Sequence, residues 1–203
     1  MVSLAVVEVL GSGELGTIRR VIEQGMGAWQ AYYATTCVEL GYCRVLLALE
    51  NGELAGVALF YRLDILPRLS VGVIYYVVVE ERFRRRGVGR VLVASVEHIL
   101  EEEGVDAIIA TTRFDNVGSR RLFGSLGYVE LPIEVIEERC GDVVIKLTCS
   151  YEDDLILFKG LTVDLEELVE ILSTPQSFRQ VERLWYSLCY RPWLRLRKAP
   201  GGL

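Results

Sequence analysis

The pattern of apolar and polar positions along the chain alternates between strand and helix periods. Val2 to Leu10 is an apolar, β-rich run that reads as a strand. From Gly13 to Gly41 the apolar spacing becomes helical, in two pieces broken near Gly25-Met26-Gly27. A hairpin follows: Arg44 to Glu50, the turn Asn51-Gly52, then Leu54 to Leu63. Asn-Gly between apolar runs supplies the positive φ angles of a tight type I′ turn. A loop containing Pro67 leads to a long apolar strand, Val71 to Val79.

After that strand the order becomes loop, helix, strand, helix, strand. Val88, Val91, Leu92, Ser95, Val96, Ile99 and Leu100 share one face of a helix from Val88 to Glu103, closed by Gly104. Val105 to Thr111 is a short buried strand, and Asn116 to Leu126 a helix stopped by Gly127. Two more strands are expected over Val129–Glu137 and Val143–Cys149. Strands of mixed direction with helices on both faces make an α/β (α+β) sandwich. Residues 1–150 are expected to form that domain and 151–203 a mostly helical C-terminal extension. In the extension Leu155 to Phe158 reads as one more strand, Thr162 as the N-cap of a helix reaching Leu172, and Pro175 as the start of another. Phe178, Val181, Leu184, Trp185, Leu188 and Cys189 then form one apolar stripe. Such a stripe fits packing on the domain, or in a homodimer, better than a ligand box.

Composition narrows the class. With 203 residues, 51% apolar and 25% charged, the chain can bury a full core and is too apolar for disorder. No apolar run approaches the roughly 18 residues of a membrane span. Met1 to Glu8 lacks the basic start of a signal peptide, so a cytoplasmic location with no membrane partner is expected. Cys37, Cys43, Cys140, Cys149 and Cys189 form no C-x-x-C pair, and His98 is the one histidine, so no metal site is expected. The thiols read as small buried hydrophobes. A scarcity of Asn and Gln fits a thermophile, and a hyperthermophilic source would admit an intracellular disulfide. A formal charge of −6 argues against a nucleic-acid partner. Yet Arg82, Arg84, Arg85, Arg86 and Arg90 crowd one short segment. Either they are a solvated charged loop, or they meet a small polyanion such as a nucleotide phosphate.

The segment Arg84-Arg85-Arg86-Gly87-Val88-Gly89 lies between a buried strand and an amphipathic helix. A loop there points several backbone N–H groups one way, with the helix dipole behind them, and its glycines let a phosphate come close. Its spacing is neither the P-loop nor the dinucleotide fingerprint. Val77-Val78-Val79-Glu80-Glu81-Arg82-Phe83 leads into it. Together these resemble the acetyl-CoA signature of the GNAT N-acetyltransferase superfamily, apolar-x-apolar followed by R/Q-x-x-G-x-G/A. Downstream, Arg113-Phe114-Asp115-Asn116-Val117-Gly118-Ser119-Arg120-Arg121-Leu122-Phe123-Gly124-Ser125-Leu126-Gly127-Tyr128 resembles the second family motif, R-x-x-N-x-x-A/S-x-x-L-Y/F-x-x-x-G-F/Y. The resemblance covers residues 2 to 149.

That resemblance implies a GNAT-type mixed central sheet, acetyl-CoA as co-substrate, and transfer of the acetyl group to an amine by direct attack in a ternary complex. It implies that the strand matching Val71–Val79 splays from the one matching Val105–Thr111, so that pantetheine pairs with backbone at Val77 and Val79, around Val78. The loop Arg84, Arg85, Arg86, Gly87, Val88, Gly89, Arg90 would cradle the pyrophosphate through its amides. Asn116 would hydrogen-bond pantetheine, Ser119 belongs to the same motif, and the Phe123 ring would lie beside the thioester. A backbone N–H near Val79 would serve as oxyanion donor. The acceptor would be met by the Gly25–Gly41 region and the Asp64–Ser70 loop.

Two departures bear on mechanism. Many members have a tyrosine acid at the place of Phe123; others have a glutamate base at the place of Val73 or of Thr111. Tyr76, with Tyr75 and Tyr128, or the acids Glu39 and Asp64, are the stand-ins, and the residues do not choose among them. The alternative is a GNAT-like module that binds CoA without catalysis, as a sensor or assembly partner. The acceptor stays open among polyamines, aminoglycosides, amino acids, protein N-termini and lysines.

Overall fold

A computed structural model of the chain describes residues 3–9, 12–65, 67 and 69–198. In chain order the elements are β1 (Leu4–Val9), α1 (Leu15–Met26), α2 (Ala28–Glu39), β2 (Arg44–Glu50), β3 (Glu53–Ile65), β4 (Leu69–Val79), α3 (Val88–Glu102), β5 (Ala107–Thr112), α4 (Val117–Gly124), β6 (Val129–Pro132), α5 (Ile133–Ile136), α6 (Asp142–Thr148), β7 (Leu155–Gly160), α7 (Leu165–Leu172), α8 (Pro175–Trp185) and α9 (Arg191–Lys198). Among the described residues seven strands form one mixed sheet in the order β1-β2-β3-β4-β5-β7-β6, which is the α/β (α+β) class expected. None of the described helices is long and apolar enough to cross a membrane.

The chain divides into two compact units. The first comprises Met1–Tyr61, Ile74–Val96 and Tyr190–Leu203. In it β1, β2 and β3 form an antiparallel meander, paired from Leu4↔Glu50 to Val9↔Val45 and from Arg44↔Phe60 to Glu50↔Glu53, the second pairing shifting register between Ala48 and Leu49. The hairpin turns on Asn51 and Gly52 with φ of 52° and 81°, the conformation that dipeptide predicts. Val57 through Tyr61 are buried without interruption, as in a strand covered on both faces. Ile18, Val21 and Ile22 of α1 and Ala31, Ala34 and Cys37 of α2 are buried at helical spacing, and the two helices pack together. A disulfide, Cys37–Cys43, ties the end of α2 to the approach to β2.

The second unit comprises Arg62–Val73 and Glu97–Cys189. The start of β4 pairs in parallel with β5, from Val71↔Ala107 to Val73↔Ile109, and β4 itself continues to Val79. On its other edge β5 pairs antiparallel with β7, from Ala107↔Gly160 to Thr112↔Leu155, and β7 in turn with β6. The strand read over Leu155–Phe158 is therefore an interior strand of the sheet.

Three expectations need correction. Val143–Cys149 is not a strand but helix α6, and the strand at Val129 ends at Pro132, with α5 in place of its second half. β-branched content suggests a strand here, but Val143, Val144, Leu147 and Thr148 are buried at helical spacing against α8, so packing overrides propensity. Thr162 is not the N-cap of α7; Asp164 is, its carboxylate accepting from the Glu167 N–H at 2.9 Å, while the Thr162 hydroxyl donates to Asp106. The cysteines are mostly not free thiols. Besides Cys37–Cys43, Cys149 is bonded to Cys189, which leaves Cys140 as a buried thiol whose pKa burial pushes up to about 11. In the apolar stripe Val181, Leu184, Leu188 and Cys189 are buried, and the Lys146 ammonium lies 4.3 Å from the Phe178 ring centre and 5.3 Å from that of Trp185.

Candidate functional site

In the first unit the site begins on β4. The Glu80 N–H donates to Ala55 O of β3 at 2.9 Å. Because successive residues of a strand point their backbone groups to opposite edges, Val79 and Val77 turn theirs away from β3. Consistent with this, the Val79 carbonyl accepts from Arg84 Nε at 3.1 Å. β3 comes very close on the other side: a Cβ added at Gly56 would stand 2.7 Å from the Val78 carbonyl oxygen. Just upstream, the rings of the adjacent residues Tyr75 and Tyr76 lie with centroids 4.3 Å apart.

The strand then passes through a short 3₁₀ turn, Glu81–Phe83, into the arginine loop and α3. Arg85 has φ 65° and Gly87 φ 86°. For arginine that left-handed conformation costs about 1–2 kcal/mol, and such outliers gather where backbone groups must be aimed. No atom outside the neighbouring residues lies within 4 Å of where a Gly87 Cβ would be, so the space over the loop is open. Val88 is buried and anchors the start of α3. Several of the arginines are occupied. Arg82 pairs with Glu53 at 2.7 Å and with Glu80 at 3.3 Å, and Arg86 pairs at 2.6 Å with Glu50, whose side chain is 5% exposed. The Arg82 and Arg86 guanidiniums flank the buried Phe83 ring at 4.6 and 5.6 Å. The Arg82 and Arg86 side chains are thus engaged by acids and by the Phe83 ring.

In the second unit Asn116 is the N-cap of α4, its side-chain oxygen accepting from the Ser119 N–H at 3.1 Å. That use of the oxygen leaves the amide NH₂ as a donor. Phe123, on the same helix, is buried edge-to-face with Tyr128 at 4.9 Å. Tyr128 is also buried, near the ion pair Lys159–Glu97 (3.1 Å), and burial first, then Glu97, raises its pKa well above the ordinary phenol value.

The profile of the acetyltransferase (GNAT) family matches residues 19–128. The chain belongs to that family. No curated protein sequence matches it significantly. Among solved structures, a putative GNAT acetyltransferase from Desulfovibrio desulfuricans aligns with TM-score 0.59 and 19% identity, over 78% of this chain and 99% of that one. A chain of the NatC complex bound to Gag peptide and CoA aligns with TM-score 0.58 and 16% identity over the same shares. The GNAT family N-acetyltransferase YhbS from Escherichia coli in complex with CoA gives 0.54 and 18%, over 64% of this chain and 70% of that one. At these identities the likeness is one of fold.

Set in the GNAT frame, the motif residues fall into two groups. Val77, Val78, Val79, Arg84, Arg85, Arg86, Gly87, Val88, Gly89 and Arg90 lie in the first unit, and Asn116, Ser119 and Phe123 in the second. The stand-ins for acid and base separate by environment. Tyr75 is raised by burial above all, then by Tyr76 and Tyr61, and with Tyr128 makes a poor proton donor at neutral pH. Asp64 accepts from Ser70 Oγ and pairs with Arg62, both at 2.8 Å; the hydroxyl first and the guanidinium next hold its carboxyl below the usual range, which makes it a poor base. Glu39 is exposed at the end of α2. Of the Asp64–Ser70 loop, Leu66 and Arg68 lie outside the described residues.

Sequence reasoning missed one acid. Asp153, half-buried just before β7, accepts from the Thr111 hydroxyl of β5. Burial raises its pKa, against the lowering effect of Thr111 and Arg113. The available signal is the acidic run Glu152-Asp153-Asp154 directly ahead of an apolar strand.

Proposed function

We propose that this GNAT protein transfers the acetyl group of acetyl-CoA to an amine, by direct attack of the neutral amine on the thioester within a ternary complex. The observation that carries the reading is the path from β4 into α3. Val77 and Val79 turn backbone groups outward, and the strand then feeds an open, left-handed loop whose amides and helix dipole suit a pyrophosphate. The loop residues Arg84 to Arg90 would hold the pyrophosphate and the β4 backbone the pantetheine. The Asn116 amide would donate to pantetheine, and Phe123 would flank the thioester. An N–H at Val79 would stabilise the developing oxyanion, and Tyr76, three residues earlier on the strand, is a candidate proton donor. Positioning supplies most of the rate. A cytoplasmic setting is compatible with two disulfides where protein disulfides persist in the cytoplasm, as in hyperthermophiles.

A second reading, CoA binding without catalysis, is favoured by one observation: Phe123 stands where a tyrosine acid would be, next to a Tyr128 whose phenol is held protonated by burial. One experiment separates the two. Calorimetry with CoA and acetyl-CoA is followed by measurement of CoA release with four amines: a peptide with a free N-terminus, spermidine, an aminoglycoside and a free amino acid. Binding with sustained release for any amine supports the transferase. Binding without release for all four supports the second reading, and absence of binding defeats both.

A further inference from the structure

Acetyl transfer to an amine releases a proton, and neither the two family base positions nor Asp64, Tyr75 and Tyr128 are suited to take it up. Val73 and Thr111 carry no carboxylate, Asp64 is committed to Arg62 and Ser70, and the Tyr75 and Tyr128 phenols are buried. The second unit nevertheless brings a carboxylate to Thr111 from another strand. The β5–β7 register, Thr111↔Ile156 and Thr112↔Leu155, sets the segment before β7 beside the end of β5. Asp154 fixes that segment: its N–H donates to the Thr112 carbonyl at 3.2 Å, its carboxylate accepts from the Phe114 N–H at 3.1 Å, and its carbonyl accepts from the Ile133 N–H at 2.9 Å. Asp153 is thereby held half-buried, with the Thr111 hydroxyl on its carboxylate.

We propose that Asp153 is the general base of the transfer, a carboxylate delivered from β7 to the Thr111 position of β5. The proposal rests on the acetyltransferase reading. In the step, the amine nitrogen forms its bond to the thioester carbon while the carbonyl π pair moves onto oxygen. The nitrogen, now positively charged, gives one proton to the Asp153 carboxylate. As the oxygen pair returns, the C–S bond breaks and CoA leaves as thiolate. The proton on Asp153 passes to that thiolate or to solvent, which restores the base. The charged groups acting on Asp153 are Asp154 and Glu152 in its own segment, which raise its pKa, and Arg113 after β5, which lowers it; burial is the largest effect and raises it. A carboxyl raised toward neutrality is a stronger base than an exposed one.

The test compares wild type, Asp153→Asn and Asp153→Glu in acetyl transfer to whichever of the four probe amines turns over. General bases contribute of order 10²–10⁴-fold. Asp153→Asn is expected to lose at least a hundredfold in kcat with CoA affinity unchanged, and Asp153→Glu to recover part of it. Stability gives a readout that a structural role would not. An aspartate whose pKa rises on folding burdens the folded state at neutral pH, and the burden vanishes below the unfolded value near 3.9. Asp153→Asn should therefore melt higher than wild type at pH 7 and equally near pH 3, while being less active. A kcat within threefold of wild type overturns the assignment and leaves the transferase reading standing. A parallel loss of CoA affinity, or a lower melting temperature at pH 7, also overturns it, in favour of a structural role. A wild type that transfers to none of the amines defeats the transferase reading itself, and this proposal with it.

Discussion

Helices α3 and α4 each begin at one of the two family motifs, and their first turns are finished in opposite ways. At α4 the chain closes its own end: Asn116 caps the helix by accepting from Ser119. At α3 the residue in that place is Gly87, which has no side chain with which to cap. Two of the arginines before it, Arg82 and Arg86, are held in ion pairs, the first with Glu53 and Glu80 and the second with Glu50. A helix start left without a capping side chain, on an open loop with two left-handed residues, can satisfy its N–H groups with an external anion. One that caps itself leaves no such vacancy and offers a side-chain amide instead. The contrast supports the proposal that the pyrophosphate is met at the first helix start and a single polar contact at the second.

The largest expected effect comes from closing the open helix start. Gly89→Val puts a branched side chain on the first turn of α3, where valine is no worse a helix former than glycine. Loss of two or three amide–phosphate contacts, at about 1.5–3 kcal/mol each, should weaken CoA binding by roughly a hundredfold or more. The melting temperature should hardly move. Calorimetry showing unchanged CoA affinity in a folded Gly89→Val protein would remove the anion from this loop and end the contrast.

The second helix start is separable into cap and donor. Asn116→Asp keeps an oxygen for the Ser119 N–H but loses the NH₂, so stability should hold while CoA affinity drops about tenfold, roughly 1.4 kcal/mol. Asn116→Ala should lose the same affinity and, in addition, about 1 kcal/mol of stability. If the aspartate variant binds CoA as wild type does, Asn116 is a cap and nothing more.

Both helix starts are legible in the sequence because their cues are local and chemical: glycines beside arginines after an apolar strand, and an asparagine three residues before a serine. What is not legible is whatever depends on distant packing. Val143, Val144 and Ile145 have the composition of a strand, and only the face they turn to α8 makes them helical. Cys149 and Cys189 are 40 residues apart, with nothing in the spacing to pair them. Asp153 reaches Thr111 through the β5–β7 register, so the family motifs, which end at Tyr128, do not contain it. The arginine cluster is legible as a cluster, but the division of labour within it needs the partners. Glu50, seen in the sequence only as the end of a strand, is the buried acid that takes Arg86.

That pair gives a smaller test of the same contrast. Glu50→Gln removes the charge that holds Arg86 while keeping a buried hydrogen-bonding group. If Arg86 is withheld from the anion by Glu50, its release should tighten CoA binding about threefold, and more at low salt than at high. If the arginine instead braces the loop, and that bracing dominates, affinity falls. Titrations of the variant at two ionic strengths decide between these outcomes.

The smallest effect is expected at Phe123, on the helix that caps itself. Its ring is 4% exposed and meets Tyr128 edge-to-face, so Phe123→Tyr places a hydroxyl where burial is already strict. Without a partner that hydroxyl costs about 1–3 kcal/mol of stability, and with the departing thiolate as partner the cost is recovered only during turnover. The gain is limited from the other side. A thiol of pKa about 8.5 leaves readily as thiolate near neutral pH, so protonating it relieves little of the barrier. Turnover of the variant should stay within about threefold of wild type, with CoA affinity unchanged and a modest fall in melting temperature, against a general-acid contribution of order 10²–10⁴ for poorer leaving groups. A tenfold rise in CoA release would mean that thiolate departure limits the wild type. Phe123 would then be a missing acid, where the α4 contrast makes it a packing residue. A tenfold fall at unchanged CoA affinity would mean that the ring must stay apolar for the thioester to sit correctly, and proton transfer would rest entirely on groups outside the two motifs.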